Sequence, residues 1–196
     1  MNTIIAFAGR KQSGKTTCAE AIIGHINQTS SKDTIKLYNF SDPLKQDVCI
    51  NILGLTHNQC YGTDEEKNQP TDLVWNKQRL SAREVMQFVG TDIFRKMKPN
   101  VWAEATVAKI KIENHDYAVI ADCRFPNEVE AIKNAGGTVI KLTRNPHNSD
   151  HISETALDPT NYNPSNFDYV LDNVNLSIDD QNFLAIQYLK TIKVLP

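Results

Sequence analysis

No apolar run in this sequence approaches the roughly 18 residues that a bilayer-crossing helix needs. The first apolar run, Ile4 to Ala8, is too short for a secretory signal and has no basic flank. Cysteine is sparse too: Cys18, Cys49, Cys60 and Cys123 make no C-x-x-C pair, and three of them lie in apolar segments where a thiol packs as a small hydrophobe. These absences point to a reduced, cytoplasmic protein. Net charge is nearly missing as well. The 21 basic and 23 acidic residues leave −2, so no overall field draws the chain to nucleic acid or to an anionic membrane, and any anion site has to be local. Against these absences stand 196 residues of 40% hydrophobic composition, which fit a single domain burying about 70% of the surface its unfolded chain exposes. No internal repeat or domain boundary is evident, so residues 1–196 are expected to form that one domain.

Thr3 to Ala8 reads as a short buried strand, and Lys15 to Asn27 as a helix with Cys18, Ile22 and Ile26 on one side. Ile35 to Phe40 alternates as a second strand. Asp42 and Pro43 then have the form of an N-cap and a first helical residue, followed by the stripe Leu44, Val48 and Ile52, which stops at Gly54. Residues 57–77 are polar and weakly periodic. Ser81 opens a helix with Glu84 in a capping box, and Val101, Ala105, Ala108 and Ile112 mark another. Tyr117 to Ala121 is a third strand, ended by Asp122, and Pro126 starts a helix closed by Gly136 and Gly137. Thr138 to Leu142 and Phe167 to Leu171 complete the strands, and Asp180 to Lys190 is the last helix. Strands alternating with helices predict an α/β fold whose parallel sheet is covered on both faces. The Asn-, Pro- and Ser-rich stretch 145–166 is too long for an ordinary connection and has the character of a lid. His147 and His151 lie in it in a poor helical context with no third soft ligand nearby, which argues against zinc.

Gly9, Arg10, Lys11, Gln12, Ser13, Gly14, Lys15 and Thr16 match G-x-x-x-x-G-K-[ST] between a predicted strand and a predicted helix, the context this phosphate loop requires. Its glycines let backbone N–H groups converge on phosphate oxygens and the helix N-terminus adds positive potential. Lys15 reaches the β- and γ-phosphates, and Thr16 can hold Mg²⁺. Such a loop has a carboxylate partner at a neighbouring strand end, acting on the metal directly or through water; Asp122 is the first candidate and Asp42 the second. Arg79, Arg83, Arg95, Arg124 and Arg144 stand near predicted element ends, where a transferring phosphoryl group needs positive charge.

Taken together, "GRKQSGKTT", "FSDPLK", "REVMQFVGTDIFR", "ADCRFPNEVEAI" and "DHISE" resemble, in order, the motifs of the bacteriophage deoxynucleoside monophosphate kinases, within the P-loop nucleoside monophosphate kinases. The resemblance runs from about Gly9 to Glu154, and departs from the family in the lid region beyond "DHISE" and in residues 57–77. It implies a P-loop kinase fold with a five-stranded parallel core, ATP as donor, Mg²⁺, a nucleoside monophosphate as acceptor, an arginine-bearing lid and a homodimer. Matched by position, Ser13, Gly14, Lys15, Thr16 and Thr17 would hold ATP phosphates and the metal. Asp42, Lys45, Arg83, Gln87 and Arg95 would line the acceptor pocket, with Lys11 facing the acceptor phosphate. Asp122 and Arg124 would stand between the two nucleotides, and Arg144 would be the lid-side cation.

The acceptor oxygen of a monophosphate is already anionic, so such a transfer needs positioning and charge stabilisation rather than a strong base. This suits a sequence with many arginines and no convincing catalytic histidine. Two other readings stay open on the residues alone. A kinase with a hydroxyl acceptor, such as a nucleoside or dephospho-coenzyme A kinase, would use Asp42 as base. A non-catalytic nucleotide switch would lack support from any N-K-x-D motif, since Asn76 and Lys77 are followed by Gln78 and Arg79.

Overall fold

Six consecutive residues, TIIAFA, form the central strand β1 (Thr3–Ala8), and five of them are buried, as expected of a parallel strand covered on both sides. The computed structural model describes residues 2–146, 150 and 152–196. After the phosphate loop, helix α1 (Lys15–Thr29) turns Cys18, Ala19, Ile22 and Ile26 inward. Strand β2 (Ile35–Tyr38) follows, and the chain then enters the second of two compact units, residues 41–106.

That second unit opens with a π-helical segment, Pro43–Ile50, in which the buried stripe departs from the expected one. A spacing of i→i+5 replaces i→i+4. Cys49 is therefore buried with Leu44 and Leu53 packed beside it, whereas Ile52, expected inside, is 74% exposed. Asp42 also fails as an N-cap: its backbone is already helical and its side chain makes no capping hydrogen bond.

Residues 57–77 are more ordered than their polarity suggested. Helices α2 (His57–Tyr61) and α3 (Asp64–Lys67) are single turns opened by capping boxes, Thr56 with Gln59 and Thr63 with Glu66. Strands β3 (Pro70–Trp75) and β4 (Gln78–Ser81) form an antiparallel hairpin. Its two-residue turn puts Asn76 and Lys77 at φ 50° and 67°, and Asn-Lys lacks the Asn-Gly signature by which such turns are recognised. Helix α4 (Ala82–Gln87) starts at the predicted Ser81–Glu84 box and leads into a second π-helical segment, Phe88–Arg95.

Helix α5 (Val101–Glu113) returns the chain to the first unit. The predicted stripe on it is corrected. Trp102, Ala103, Val107 and Ile110 are buried, while Ile112 is 83% exposed, because alanines on the outer face imitated an apolar side. The remaining elements are β5 (Tyr117–Cys123), α6 (Pro126–Asn134), β6 (Thr138–Leu142), α7 (Ile152–Thr155), a 3-10 turn at Pro164–Asn166, β7 (Tyr169–Leu171) and α8 (Ile178–Thr191). Asp122 does not end its strand, which runs on to Cys123.

The five strands of the first unit pair in parallel in the order β2-β5-β1-β6-β7. Ile5 and Phe7 enter a core with α1 and with Ala185 and Leu189 of α8. The alternate residue Ile4 meets Gly137 on the other face, where Ile132 of α6 also packs. Both faces are thus covered. All four cysteines are free and buried, and among the described residues no helix is long and apolar enough to cross a membrane.

Candidate active site

The chain leaves the C-terminal end of β1 through Gly9 at φ +153° and enters α1 through Gly14 at φ +104°, both in the left-handed region that favours glycine. Between them the loop wraps Lys15, whose Nζ donates to the carbonyls of Gly9 at 2.9 Å and Arg10 at 2.6 Å. Burial, and then the nearby Arg124, pull the Lys15 pKa down to about 8, with Glu154 and Asp122 opposing. Ser13 is fully buried, and its Oγ has no hydrogen-bond partner.

A cavity of ≈ 440 Å³ opens over this loop. Gln12, Gly14, Lys15, Thr16 and Thr17 line it from the loop and α1, Asn39, Asp122 and Arg124 from the ends of β2 and β5, and Arg144, Ile178 and Gln181 from the C-terminal part of the chain. Asp122 Oδ1 accepts the Phe40 N–H at 2.7 Å, fixing the carboxylate across neighbouring strands. A larger cavity, ≈ 750 Å³, lies where β1 begins, beside Thr3 and Ile4. Open parallel sheets bind ligands at the other end, outside the carboxyl ends of their strands, which is where the loop cavity is.

The stretch after β6 returns to the loop. Arg10 pairs with Asp158, Arg124 pairs with Glu154, and Glu154 also accepts the backbone N–H of Lys11, whose side chain is exposed. A carboxylate therefore sits on one loop N–H and one arginine of the candidate site. Arg144 is held from behind, its guanidinium donating to the carbonyls of Asn173 and Leu176.

In the second unit, Asp42 accepts the Tyr61 hydroxyl at 2.9 Å and Lys45 Nζ lies 4.8 Å from the centre of the same ring. Burial, followed by this hydrogen bond, raises the Tyr61 pKa. Arg83 is engaged by Asp64 at 2.7 Å and Asn68 at 2.8 Å. Gln87 is exposed at the end of α4, and Arg95 ends the second π-helical segment. So Asp42 and Lys45 share a neighbour, while Arg83 is occupied with other partners. His147 and His151 lie outside the described residues, among which no cluster of three or more His, Cys, Asp or Glu could hold a metal.

A family model for deoxynucleotide monophosphate kinase matches residues 48–180. The chain belongs to that family. Because the match begins after the phosphate loop, loop and family are separate observations. A relative from Acanthamoeba polyphaga mimivirus that bears the deoxynucleotide monophosphate kinase name is 33% identical over 171 residues, covering 79% of this chain and 81% of its own. The deoxynucleoside-5'-monophosphate kinase of Escherichia phage T5 is 25% identical over 248 residues, covering 95% of this chain and 98% of its own. Among solved structures, the shikimate kinases of Acinetobacter baumannii and Bacteroides thetaiotaomicron both align with a TM-score of 0.51. The first is 10% identical over 98% of this chain and 93% of its own, and the second 14% over 98% and 99%. At such identity they speak for the fold alone, that of a P-loop kinase.

In this member of the deoxynucleotide monophosphate kinase family, the loop, Asp122, Arg124 and Arg144 are legible in the sequence. Tyr61, Asp158, Asn173 and Gln181 are not. Glu154 was visible only as part of "DHISE". Asn173 sits in "LDNVN" and Gln181 in a helix of ordinary composition, so neither carries a local signal.

Proposed function

We propose that the chain transfers the γ-phosphoryl group of ATP to the phosphate of a deoxynucleoside monophosphate, giving ADP and the diphosphate. The observation that carries this reading is the loop cavity itself. Lys15, Thr16, Thr17, Asp122, Arg124 and Arg144 converge on one space at the C-terminal end of the sheet, in a chain of the deoxynucleotide monophosphate kinase family. An unpartnered buried hydroxyl on Ser13 and a lysine resting on its own loop carbonyls suit a polyphosphate that would supply what those groups lack.

The threonine hydroxyl and the carboxylate are hard oxygen donors, the kind magnesium takes, and both residues line the cavity. Magnesium held by Thr16 and Asp122 would neutralise charge on the donor phosphates. Lys15 would leave the carbonyls of Gly9 and Arg10 to meet the β- and γ-phosphates. Arg124 would exchange Glu154 for the transferring group, and the stretch 145–166 would act as the lid that excludes water. Arg144 would hold the donor nucleotide from the lid side. The acceptor would be held by Asp42, Lys45, Arg83, Gln87 and Arg95 of the second unit. No residue is asked to remove a proton, because the attacking phosphate oxygen is already anionic.

Measuring ADP release with each of the four deoxynucleoside monophosphates, with the matching nucleosides and with no acceptor tests the reading. ADP formed only with one or more monophosphates supports it. ADP formed with nucleosides, or at an equal rate without acceptor, overturns it in favour of a hydroxyl-acceptor kinase or an ATPase.

A further inference from the structure

Two side-chain amides far from the phosphate loop in sequence are buried against its carbonyls. Asn173, in the segment between β7 and α8, and Gln181, in the first turn of α8, both have no exposed surface. Asn173 Nδ2 donates to the Ser13 carbonyl at 2.8 Å and also to Gln181 Oε1. Gln181 Nε2 reaches the Gly14 carbonyl at 3.4 Å and Cys18 Sγ at 3.0 Å. The remaining oxygen, Asn173 Oδ1, accepts the backbone N–H of Arg144 at 2.8 Å. The donors and acceptors of the pair are thus largely used, which is what makes a buried polar network rigid rather than costly.

The fit is tight enough to constrain the loop sequence. A Cβ on Gly14 would lie 2.5 Å from Gln181 Oε1 and 2.8 Å from Nε2, so this glycine is needed for the close approach of the amide as well as for its positive φ. A peptide unit has its carbonyl and the following N–H on opposite sides. Holding the Ser13 and Gly14 carbonyls therefore turns the N–H groups of Gly14 and Lys15 away from the amides.

We propose that Asn173 and Gln181 are positioning residues. Their amides lock two consecutive carbonyls of the phosphate loop so that the next two N–H groups are presented to the nucleotide's phosphates, and Asn173 ties Arg144 to the same frame. The proposal rests on the reading that this loop binds ATP. It assigns to Asn173 and to the start of the last helix a part in nucleotide affinity that the loop motif does not contain.

The test uses the full-length protein and direct ATP binding by calorimetry, with turnover measured separately. Gln181→Met keeps the volume and removes both amide donors. It is expected to raise the ATP dissociation constant about tenfold, the scale of one buried hydrogen bond lost with its partner left in place, and to leave KM for the monophosphate unchanged. Asn173→Asp still accepts from Arg144 but sets a carboxylate against the Ser13 carbonyl. It can donate there only when protonated. The ratio of variant to wild-type dissociation constants is therefore expected to fall as the pH is lowered from about 8 to about 6, a dependence that loss of packing alone would not produce. If Asn173→Asp does not fold, the KM split of Gln181→Met decides. Dissociation constants within twofold of wild type, or a pH-independent ratio in a folded Asn173→Asp, would overturn the proposal. A wild type that binds ATP but releases no ADP with any monophosphate overturns the functional reading while leaving this test intact. A wild type that binds no ATP overturns both.

Discussion

Arg144 and Asn173 are joined through three hydrogen bonds: the Asn173 carbonyl accepts Nε at 3.1 Å and Nη2 at 2.8 Å, and the Asn173 side chain accepts the Arg144 backbone N–H at 2.8 Å. Nη2 also donates to the Leu176 carbonyl at 2.6 Å. A planar fork meets this pattern and an ammonium does not. Arg144→Lys should therefore raise KM for ATP by about tenfold even though the charge is kept. Steady-state kinetics with ATP varied at saturating monophosphate would show it, and an unchanged KM would remove Arg144 from the donor site.

Lys15 separates activity from stability. Its ammonium is buried, and burying a charge costs free energy unless it is paired; its partners here are neutral carbonyls. Lys15→Met removes that cost along with the charge. The variant should lose at least about 10²-fold in turnover, the scale of one missing transition-state donor. It should still melt within about 4 °C of the parent. A large fall in melting temperature would mean that the loop needs this lysine to fold.

The same residue sets an alkaline limit. With its folded pKa near 8 against 10.5 for an ordinary lysine, the free protein gives up this proton before the unfolded chain does. The burial cost is accordingly fully present below about pH 8 and is relieved as the pH climbs toward 10.5, so this group's contribution to stability rises over that window. Affinity for ATP runs the other way, falling about tenfold per pH unit above the break, because the polyphosphate requires the ammonium. Arg124 lowers this pKa and Glu154 raises it. Arg124→Ala should move the break upward and Glu154→Gln downward, as read by calorimetric titration across the alkaline range. A break that stays in place in both variants would assign the limb to another group.

Asp42→Asn tests the acceptor side. The aspartate makes no capping bond, and asparagine keeps an oxygen for the Tyr61 hydroxyl, so the melting temperature should not change. If Asp42 contacts the monophosphate nucleotide, kcat/KM for that substrate should fall at least about tenfold with KM for ATP unaltered. Tyr61→Phe, which removes only the hydroxyl, reports what the hydrogen bond alone contributes. Unaltered kinetics in Asp42→Asn would exclude the carboxylate from the acceptor pocket.

What the sequence disclosed follows from how local each signal is. The loop Gly9 to Thr17 was legible because its spacing and its strand-to-helix setting are fixed by neighbouring residues. The strands β1, β5 and β6 were legible because burial on both faces demands unbroken apolar runs. The buried side of Pro43–Ile50 was not, since the i+5 turn that moves it to Cys49 and Leu53 cannot be told from an α-helix by composition. The hairpin at Asn76 and Lys77 was hidden by an exposed, polar surround. Within the candidate site, the arginines could be nominated by type. Their partners Glu154, Asp158 and Asn173 come from chain that is close only after folding, as the 148 positions between Arg10 and Asp158 illustrate.

Gln181 contacts Gly14 across 167 positions of chain. During synthesis the loop emerges 167 positions ahead of the amide that supports it. A ribosome-bound chain therefore carries the phosphate-binding motif through that interval without the support that helix α8 brings. Capture of ATP by the nascent protein would mark the docking of its last helix, and a product cut short before Gln181 would keep the motif while lacking the frame that holds it.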